Sequence, residues 1–323
     1  MMRLIPKGAL LHTHDMGVAR PDFLLQVTYE PLLYVCSDHP PKFLFSSILP
    51  KHACDSDWQL MTEARTKFGD VNKFDAELKK YFSLVTSDLR DVYPDVNAVW
   101  RRKYDYRETV KVYKTVLDKF SHRYKDFYGG RLIYSPSKLS WRTMNITNEL
   151  QKAEELKREF PDLIAGTIST LVQRFGTWSD ENLVDAVLLK PKRIGNPHAL
   201  VKHPLLMNLV KQNDIALEVN VISDQVLNLV DDFRNHPLSV LLAYDMPVVI
   251  ASDYNFLWEA NSLTHDFYVI FTGVSSERSD LRLLKQLALN SMKYNTVKDK
   301  RPMEKMFQDN WNQFLDRVLE NFS

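Results

Sequence analysis

Short apolar runs alternate with segments of helical periodicity over most of the chain. Apolar runs of about four to eight residues are typical of buried strands, and apolar positions spaced by three or four residues are typical of amphipathic helices. Six segments predict strands, at residues 9–11, 131–134, 163–166, 193–195, 215–219 and 247–253. The alternation predicts an α/β fold in which helices cover a parallel sheet. Because no glycine-rich phosphate motif follows a strand, a (β/α) TIM-type barrel is favoured over a dinucleotide fold.

The same pattern predicts where helices and loops lie. Helices are expected in parts of residues 20–33 and 58–85, and at 106–124, 146–160, 180–189, 204–212, 235–243, 281–294 and 303–322. Prolines at positions 31, 40, 41 and 50 predict a long loop. We therefore expect one barrel domain over residues 1–323, with a loop insert at about 27–58. About six of the eight strands of a barrel are recognisable, so the barrel is expected to be incomplete or distorted.

Composition narrows the class of partner. The chain has 323 residues, 45% of them hydrophobic, with 42 lysines and arginines against 41 acids. No long block of one charge is present, which disfavours a nucleic-acid groove and an anionic membrane surface. No apolar run has the length of a membrane span, and the first residues become polar too soon for a signal peptide. A small-molecule partner is expected, and the chain as printed is expected to stay unexported.

The first candidate chemistry follows the apolar run at 9–11. His12 and His14 occupy alternate positions, so on a strand both imidazoles point to the same side and can converge on one ion. Asp15 follows directly. The alternative is a pair of polar residues in a solvated turn. The apolar run and Asp15 favour the metal interpretation without excluding the other.

Other polar side chains stand at the carboxyl ends of predicted strands, where barrel enzymes carry their chemistry. Asn196 and His198 follow one strand, and Asp253 and Tyr254 follow another. Asp253 could join the two histidines as a ligand of a zinc-type ion, or it could be a turn or helix-cap acid. Three further histidines are expected to be loop or core residues: His198, His203 and His236.

The stretch Pro6-Lys7-Gly8-Ala9-Leu10-Leu11-His12-Thr13-His14-Asp15 resembles the opening metal motif of the adenosine deaminases, in the branch called adenosine deaminase-related growth factors. Further stretches resemble this branch in order along the chain: 27–29 with Cys36, 54–58, 82–86, 99–100, 131–136, 160–166, 224–227, 234–237, 247–253 and 280–288. The resemblance therefore extends over most of the chain. It implies a barrel fold and a hydrolytic reaction that converts adenosine to inosine and ammonia.

The resemblance also implies roles for individual residues. His12, His14 and Asp253 match zinc ligands, and Asp15 and Trp100 match contacts to a purine nucleoside. The zinc ion of the family activates a water molecule, while side chains of the protein move protons. The disulfide of the branch falls on Cys36 and Cys54, which would require an oxidising compartment. The family is extracellular, whereas the chain as printed would be cytoplasmic for want of a signal peptide.

Several family residues are missing from this sequence. The His-Ala-Gly-Glu strand end, which supplies a third histidine ligand and the proton-donating glutamate, does not occur in residues 166–180. The catalytic histidine falls on Asn196, and the second of two paired aspartates falls on Tyr254. A strand and loop between Trp100 and Tyr106 are also missing. Each lost general acid or base typically costs about 10²- to 10⁴-fold in rate, so we expect impaired or absent catalysis and weak or absent zinc binding.

Three other hypotheses stay open at this point. The chain could be an active adenosine deaminase in which residues such as His198 or Glu181 act as replacements. It could be an interaction or signalling protein built on a deaminase scaffold. The missing strands could instead reflect a splice variant or a misjoined gene model.

Overall fold

The computed structural model describes most of the chain except for a central part. The described residues are 2–14, 17, 19–86, 92, 95, 97–103, 132–134, 164–167, 183–184, 186–188, 190–295 and 299–322. The helices predicted at 106–124 and 146–160, and the candidate substrate contact Asp15, lie outside these residues.

Eight strands form three sheets in the described part of the chain. They are β1 (Leu33–Cys36), β2 (Lys42–Phe45), β3 (Trp58–Leu60), β4 (Leu132–Tyr134), β5 (Ile164–Thr167), β6 (Arg193–Gly195), β7 (Ala216–Val219) and β8 (Val248–Ile250). One sheet has the antiparallel order β2-β1-β3, another pairs β4 with β5 in parallel, and the third has the parallel order β6-β7-β8. Strands β4 to β8 confirm five of the six predicted strands.

α-Helices accompany these sheets. They are α1 (Pro21–Val27), α2 (Met61–Phe68), α3 (Val71–Lys79), α4 (Pro204–Gln212), α5 (Val221–Val226), α6 (Leu238–Ala243), α7 (Thr264–Val269), α8 (Leu281–Lys293) and α9 (Arg301–Phe322) among the described residues. Residues 97–103 and the described residues between 183 and 188 are also helical. The fold is α/β as predicted. Within the described residues the strands do not close into a ring, so the complete barrel is not shown.

The sheet of β6, β7 and β8 forms the centre of the larger core. Every residue of these three strands is buried, as expected for a parallel sheet covered on both faces. Leu217, Val248 and Ile250 pack with side chains from the helices on its faces. Helix α8 contributes Leu284 and Leu287 to the same core. The spacing of three residues between these leucines keeps them on one helix face.

Helix α9 closes this core with an aromatic stripe. Phe307, Trp311 and Phe314 are buried at spacings of four and three residues, and their rings contact one another in sequence. The prediction of an amphipathic helix at the end of the chain is confirmed. No helix within the described ranges is both long and apolar enough to cross a membrane.

The segment around the first two histidines is extended but is not the strand predicted at 9–11. Its pairing consists of one parallel bridge, between Thr13 and Asp253 at the end of β8. The segment is held instead by the neighbouring helix, because the N–H of Ala9 donates to Ser291 Oγ in α8 at 2.7 Å. Gly8 has φ +74°, and a Cβ at this position would collide with Ser291 Oγ and the carbonyl of Ala288. The chain can therefore approach α8 closely only with glycine here.

The proline-marked insert contains more regular structure than predicted. Strands β1 and β2 lie in the stretch 27–58 that was expected to be a loop, and β3 replaces the first residues of a predicted helix. The prolines flank the two strands instead of interrupting them, which explains why β1 and β2 tolerate them. The disulfide between Cys36 and Cys54 joins the end of β1 to the segment before β3.

A buried carboxyl group, Asp266, lies beside the end of β8. Its Oδ2 accepts hydrogen bonds from Ser252 Oγ at 2.7 Å and from the N–H of Leu263 at 3.1 Å. Burial raises the pKa of Asp266 to about 7, although these hydrogen bonds act to lower it. The folded protein therefore keeps a proton that the unfolded chain releases near pH 4.

This arrangement predicts a pH-dependent stability. Because the folded-state pKa of Asp266 is raised, its contribution to the free energy of unfolding falls between about pH 4 and about pH 7. Asp266→Asn removes this titration, and at pH 8 the variant should be more stable than the wild type by about 2 to 4 kcal/mol. Urea unfolding at pH 5 and pH 8 measures the difference. Asp309→Asn, at an exposed position of α9, is the control, and equal stability of Asp266→Asn and wild type at pH 8 would contradict the prediction.

Candidate functional site

The first and last predicted metal ligands are brought together by backbone pairing. The N–H of His14 donates to the carbonyl of Asp253 at 3.2 Å, and the N–H groups of Ser252 and Asp253 both approach the carbonyl of His12 at 3.3 Å. Thr13 Oγ1 adds a hydrogen bond to the carbonyl of Asp253 at 2.9 Å. The segment therefore lies next to the carboxyl end of β8, although 240 positions separate Thr13 from Asp253.

The three side chains form one compact group. The Nε2 atoms of His12 and His14 are 3.4 Å apart, and Asp253 Oδ1 lies 2.7 Å from His14 Nε2 and 3.8 Å from His12 Nε2. Ligands about 2.0 to 2.1 Å from a tetrahedral zinc ion are about 3.3 Å from one another. The His12–His14 separation has this size, whereas the 2.7 Å between His14 and Asp253 is the length of a direct hydrogen bond. The donor set of two imidazoles and one carboxylate also suits zinc, so the residues present fit the ion that the resemblance implies.

The tautomer of His12 is set by a buried acid behind it. His12 Nδ1 lies 2.9 Å from Glu218 Oε2, and Glu218 Oε1 accepts from Arg193 Nε at 2.5 Å. Burial acts to raise the pKa of Glu218, but the contacts with His12 and Arg193 hold it below its usual value. A carboxylate can only accept hydrogen bonds, so Nδ1 of His12 carries the proton. The lone pair of the ring is then on Nε2, on the side that faces His14 and Asp253.

Asp253 uses its two oxygens differently. Oδ1 faces the histidines, whereas Oδ2 accepts from Ser223 Oγ at 2.6 Å and lies 3.2 Å from Lys103 Nζ. Burial acts to raise the pKa of Asp253, but the charges of Lys103 and His14 hold it well below its usual value. The carboxylate is therefore ionised at neutral pH. Asp253 also has φ +52°, an uncommon conformation for a residue with a side chain, and such conformations cluster at functional sites.

Asn196 and Tyr254 stand in the positions that the resemblance assigns to catalysis. Asn196 Oδ1 accepts a hydrogen bond from Asn220 Nδ2 at 2.5 Å, and Asn196 is buried with φ +50°. The ring of Tyr254 stacks on the imidazole of His14 with centroids 4.2 Å apart. Both side chains thus lie at the carboxyl ends of β6 and β8, but neither offers the proton-exchanging group of a histidine or an aspartate.

Trp100 also reaches this region. It lies in the helical residues 97–103, and Lys103 Nζ is 4.9 Å from the centroid of its ring and 4.4 Å from that of Tyr254. Lys103 therefore lies against the rings of both Trp100 and Tyr254, and Tyr254 in turn stacks on His14. The structure thus places a lysine beside the residue that the resemblance marks as a substrate contact.

A second group of titratable residues consists of His198, Asp224 and His236. His198 Nε2 is 3.1 Å from Asp224 Oδ1, and His236 Nε2 is 3.1 Å from Asp224 Oδ2. All three residues are buried, which fits the expectation that both histidines are core residues. Burial opposes the charge of His198, yet Asp224 raises the pKa of this imidazole, and His198 in turn helps to lower the pKa of Asp224.

This second group is a poor metal site despite its composition. The N–H of Leu238 donates to His236 Nδ1 at 3.0 Å, so Nδ1 carries the lone pair and Nε2 carries the proton that points to Asp224. An imidazole in this tautomer has no lone pair to give a metal on the Asp224 side. The group is therefore a buried ion pair that joins the β6 end, α5 and the start of α6.

Sequence patterns missed four residues of these two groups. Glu218 carried a signal, because it is the one acid within the apolar strand predicted at 215–219 and a buried acid requires a partner. Lys103, Ser223 and Asp224 carried none, since their proximity to the site depends on how helices pack. The disulfide between Cys36 and Cys54 pairs the two cysteines that the resemblance pairs.

Comparisons with known proteins agree with this architecture. The chain is 31% identical to an adenosine deaminase of Lutzomyia longipalpis over 98% of this chain and 79% of the relative. It is 29% identical to human adenosine deaminase 2 over 98% of this chain and 80% of the relative. The first alignment extends over 403 residues, at least 80 more than the 323 of this chain, so the relative has segments that this chain lacks. No family model matches the chain.

Solved structures share the fold at lower identity. The Arabidopsis protein ADAL in complex with IMP has a TM-score of 0.60 at 13% identity, with 97% of this chain and 99% of that chain covered. An amidohydrolase from Burkholderia ambifaria with bound Zn has a TM-score of 0.58 at 16% identity, with 99% and 94% covered. The extent of the match to the insect deaminase is decisive, and the chain belongs to the adenosine deaminase family, in its adenosine deaminase-related growth factor branch.

Proposed function

We propose that this chain is a deaminase-family protein that binds a zinc-type ion and a purine nucleoside but turns adenosine over inefficiently or not at all. The observation that carries this proposal is the contrast between the two halves of one site. His12, His14 and Asp253 have the spacing and chemistry of metal ligands, while Asn196 and Tyr254 stand where proton-transferring groups are expected.

The metal half of the site is supported by the side chains behind it. His12 and His14 would hold the ion through Nε2, and Asp253 through Oδ1. When bound, such an ion supplies Lewis acidity toward a water molecule. Glu218 keeps His12 in the tautomer that this role needs, and Ser223 orients the carboxylate of Asp253 through its other oxygen.

In the catalytic half, the two described residues at expected catalytic positions do not gain and lose protons near neutral pH. The amide of Asn196 donates and accepts hydrogen bonds but does not exchange a proton in this range, and its oxygen is already bonded to Asn220. The phenol of Tyr254 is a much weaker acid than the carboxyl group expected there, and its ring packs on His14. The site can hold and orient a nucleoside without moving the protons that deamination requires.

An active enzyme with His198 as the replacement base is less well supported. His198 is 5% exposed and directs Nε2 toward Asp224, in a group separate from the candidate metal ligands. Glu181, the other candidate replacement, lies outside the described residues. We find no observation in the described residues that favours a purely interacting or signalling protein.

The proposal extends to the fold and the compartment. The parallel order β6-β7-β8, followed by the bridge to Thr13, is the order expected where the last strand of a (β/α) barrel meets the first. We therefore propose an incomplete barrel of the deaminase type. The Cys36–Cys54 disulfide supports an extracellular setting, since disulfides persist in oxidising compartments.

The replaced residues predict a low rate of adenosine deamination. With zinc supplied, the purified chain should convert adenosine to inosine with a kcat/KM at least about 10⁴-fold below that of an intact relative, because more than one proton-transferring group is replaced. The fall in adenosine absorbance measures the rate, and the Lutzomyia longipalpis deaminase is the positive control. Turnover at the relative's rate would overturn the proposal of impaired chemistry.

Metal binding can be measured without catalysis. Chelator-treated wild type should take up one zinc ion, and His14→Ala should weaken the affinity by at least about 100-fold because one of three ligands is lost. Glu218→Gln should weaken it by about 10- to 100-fold, through loss of the group that orients His12. Competition with a chromophoric chelator gives the Kd values. His52→Ala, at an exposed histidine, is the control, and zinc uptake that ignores His14→Ala would place the ion elsewhere.

A further inference from the structure

Lys103 brings a positive charge to the carboxylate of a candidate metal ligand. Its Nζ lies 3.2 Å from Asp253 Oδ2, and its side chain is only 12% exposed. Aromatic rings flank the ammonium group, with centroids 4.9 Å away for Trp100 and 4.4 Å away for Tyr254. A lysine held between a carboxylate and two ring faces is bound at several points and is not a mobile surface group.

The helix that carries Lys103 is itself anchored. Arg102 Nη2 donates to the carbonyl of Lys80 at 2.6 Å, and the guanidinium lies 5.6 Å from the centroid of the Tyr81 ring. These contacts fix residues 97–103 against Lys80 and Tyr81, which directly follow α3. Lys103 is therefore held beside Asp253 both by the contacts of the neighbouring Arg102 and by the two aromatic rings.

Each carboxylate of the site already faces a cation before any ion is added. Arg193 pairs with Glu218, and Lys103 pairs with Asp253. A divalent cation placed against Asp253 Oδ1 would share one carboxylate with the ammonium group on Oδ2. Like charges repel strongly at such separations where water is largely excluded.

We propose that Lys103 is an internal cation that opposes metal binding at Asp253. This inference rests on the proposed function, because it concerns the same three ligands. Lys103 stabilises the metal-free form of the site by occupying Asp253, and it lowers the affinity of the site for a divalent ion. Coupling of this kind is reciprocal, so a bound ion must also weaken the bond between Lys103 and Asp253.

The central experiment compares zinc affinities. Lys103→Met keeps the length and apolar stem of the side chain but removes the charge, and it should tighten zinc binding by about 10- to 100-fold relative to wild type. Lys103→Arg keeps the charge and should leave the affinity weak. Arg101→Met removes one positive charge from an exposed position of the same helical segment, and its affinity should equal that of the wild type. Competition with a chromophoric chelator measures all four proteins.

A second experiment uses the wild-type chain alone and so does not depend on how a variant folds. Acetylation of lysines, followed by peptide mass spectrometry, reports how accessible each amine is. Lys103 should react slowly in the metal-free protein and several-fold faster with saturating zinc, while exposed Lys80 should react at the same rate in both states. An unchanged rate at Lys103 would overturn the inference.

The outcomes separate this inference from the proposed function. If neither wild type nor Lys103→Met binds zinc, the metal site itself is wrong and the inference falls with it. If both bind zinc with the same Kd, the metal site stands and the role of Lys103 is refuted. Tighter binding by Lys103→Met, together with unchanged binding by Arg101→Met, supports the inference.

Discussion

The parallel pairing of the segment at residues 12–14 with the end of β8 is the constraint on which the site depends. Two candidate ligands come from the beginning of the chain and one from position 253, so only tertiary structure can bring them together. The bridge at Thr13 does this through backbone hydrogen bonds, which do not depend on side-chain identity. Because side chains alternate along an extended segment, fixing Thr13 also turns His12 and His14 toward the same side. The geometry of the candidate metal site thus follows from one register.

The buried charges near the paired segment place a second constraint on the site. Each buried carboxylate of the region has a cationic or donating partner: Asp253 has Lys103, Glu218 has Arg193, and Asp224 lies between two histidines. A buried charge without a partner is destabilising, so removing either member of such a pair leaves an unpaired buried charge and lowers the stability of the fold. The same pairing explains why the two histidine groups differ in chemistry. Glu218 accepts from Nδ1 of His12 and frees Nε2, whereas the N–H of Leu238 fixes the opposite tautomer in His236.

The sequence predicted those parts of the fold in which local pattern and tertiary role coincide. Strands β6, β7 and β8 are apolar because both faces of their sheet are covered, and the alternate spacing of His12 and His14 anticipated their convergence.

The strand predicted at 9–11 was wrong, because an apolar extended segment can be held by a helix side chain, here Ser291, in place of a neighbouring strand. Strands β1 and β2 escape prediction because the prolines that border them also favour a loop. Lys103 and Asp224 could not be found, since nothing in a local pattern states which helix packs against which strand end.

The location of the core explains how a cation site can persist in a chain that lacks segments of its relatives. The larger core is built from Ile5 together with residues from 183 onward, and it includes β6 to β8, α8 and α9. The ligand-bearing first segment is attached to this same unit, through Ala9 to Ser291 and through Thr13 to Asp253. The third histidine and the glutamate of the family are expected elsewhere in the chain, at residues 166–180. The contacts that hold the candidate ligands and the two residues expected at 166–180 thus belong to different stretches of the chain. The candidate ligands can therefore be kept in a chain from which the third histidine and the glutamate are lost.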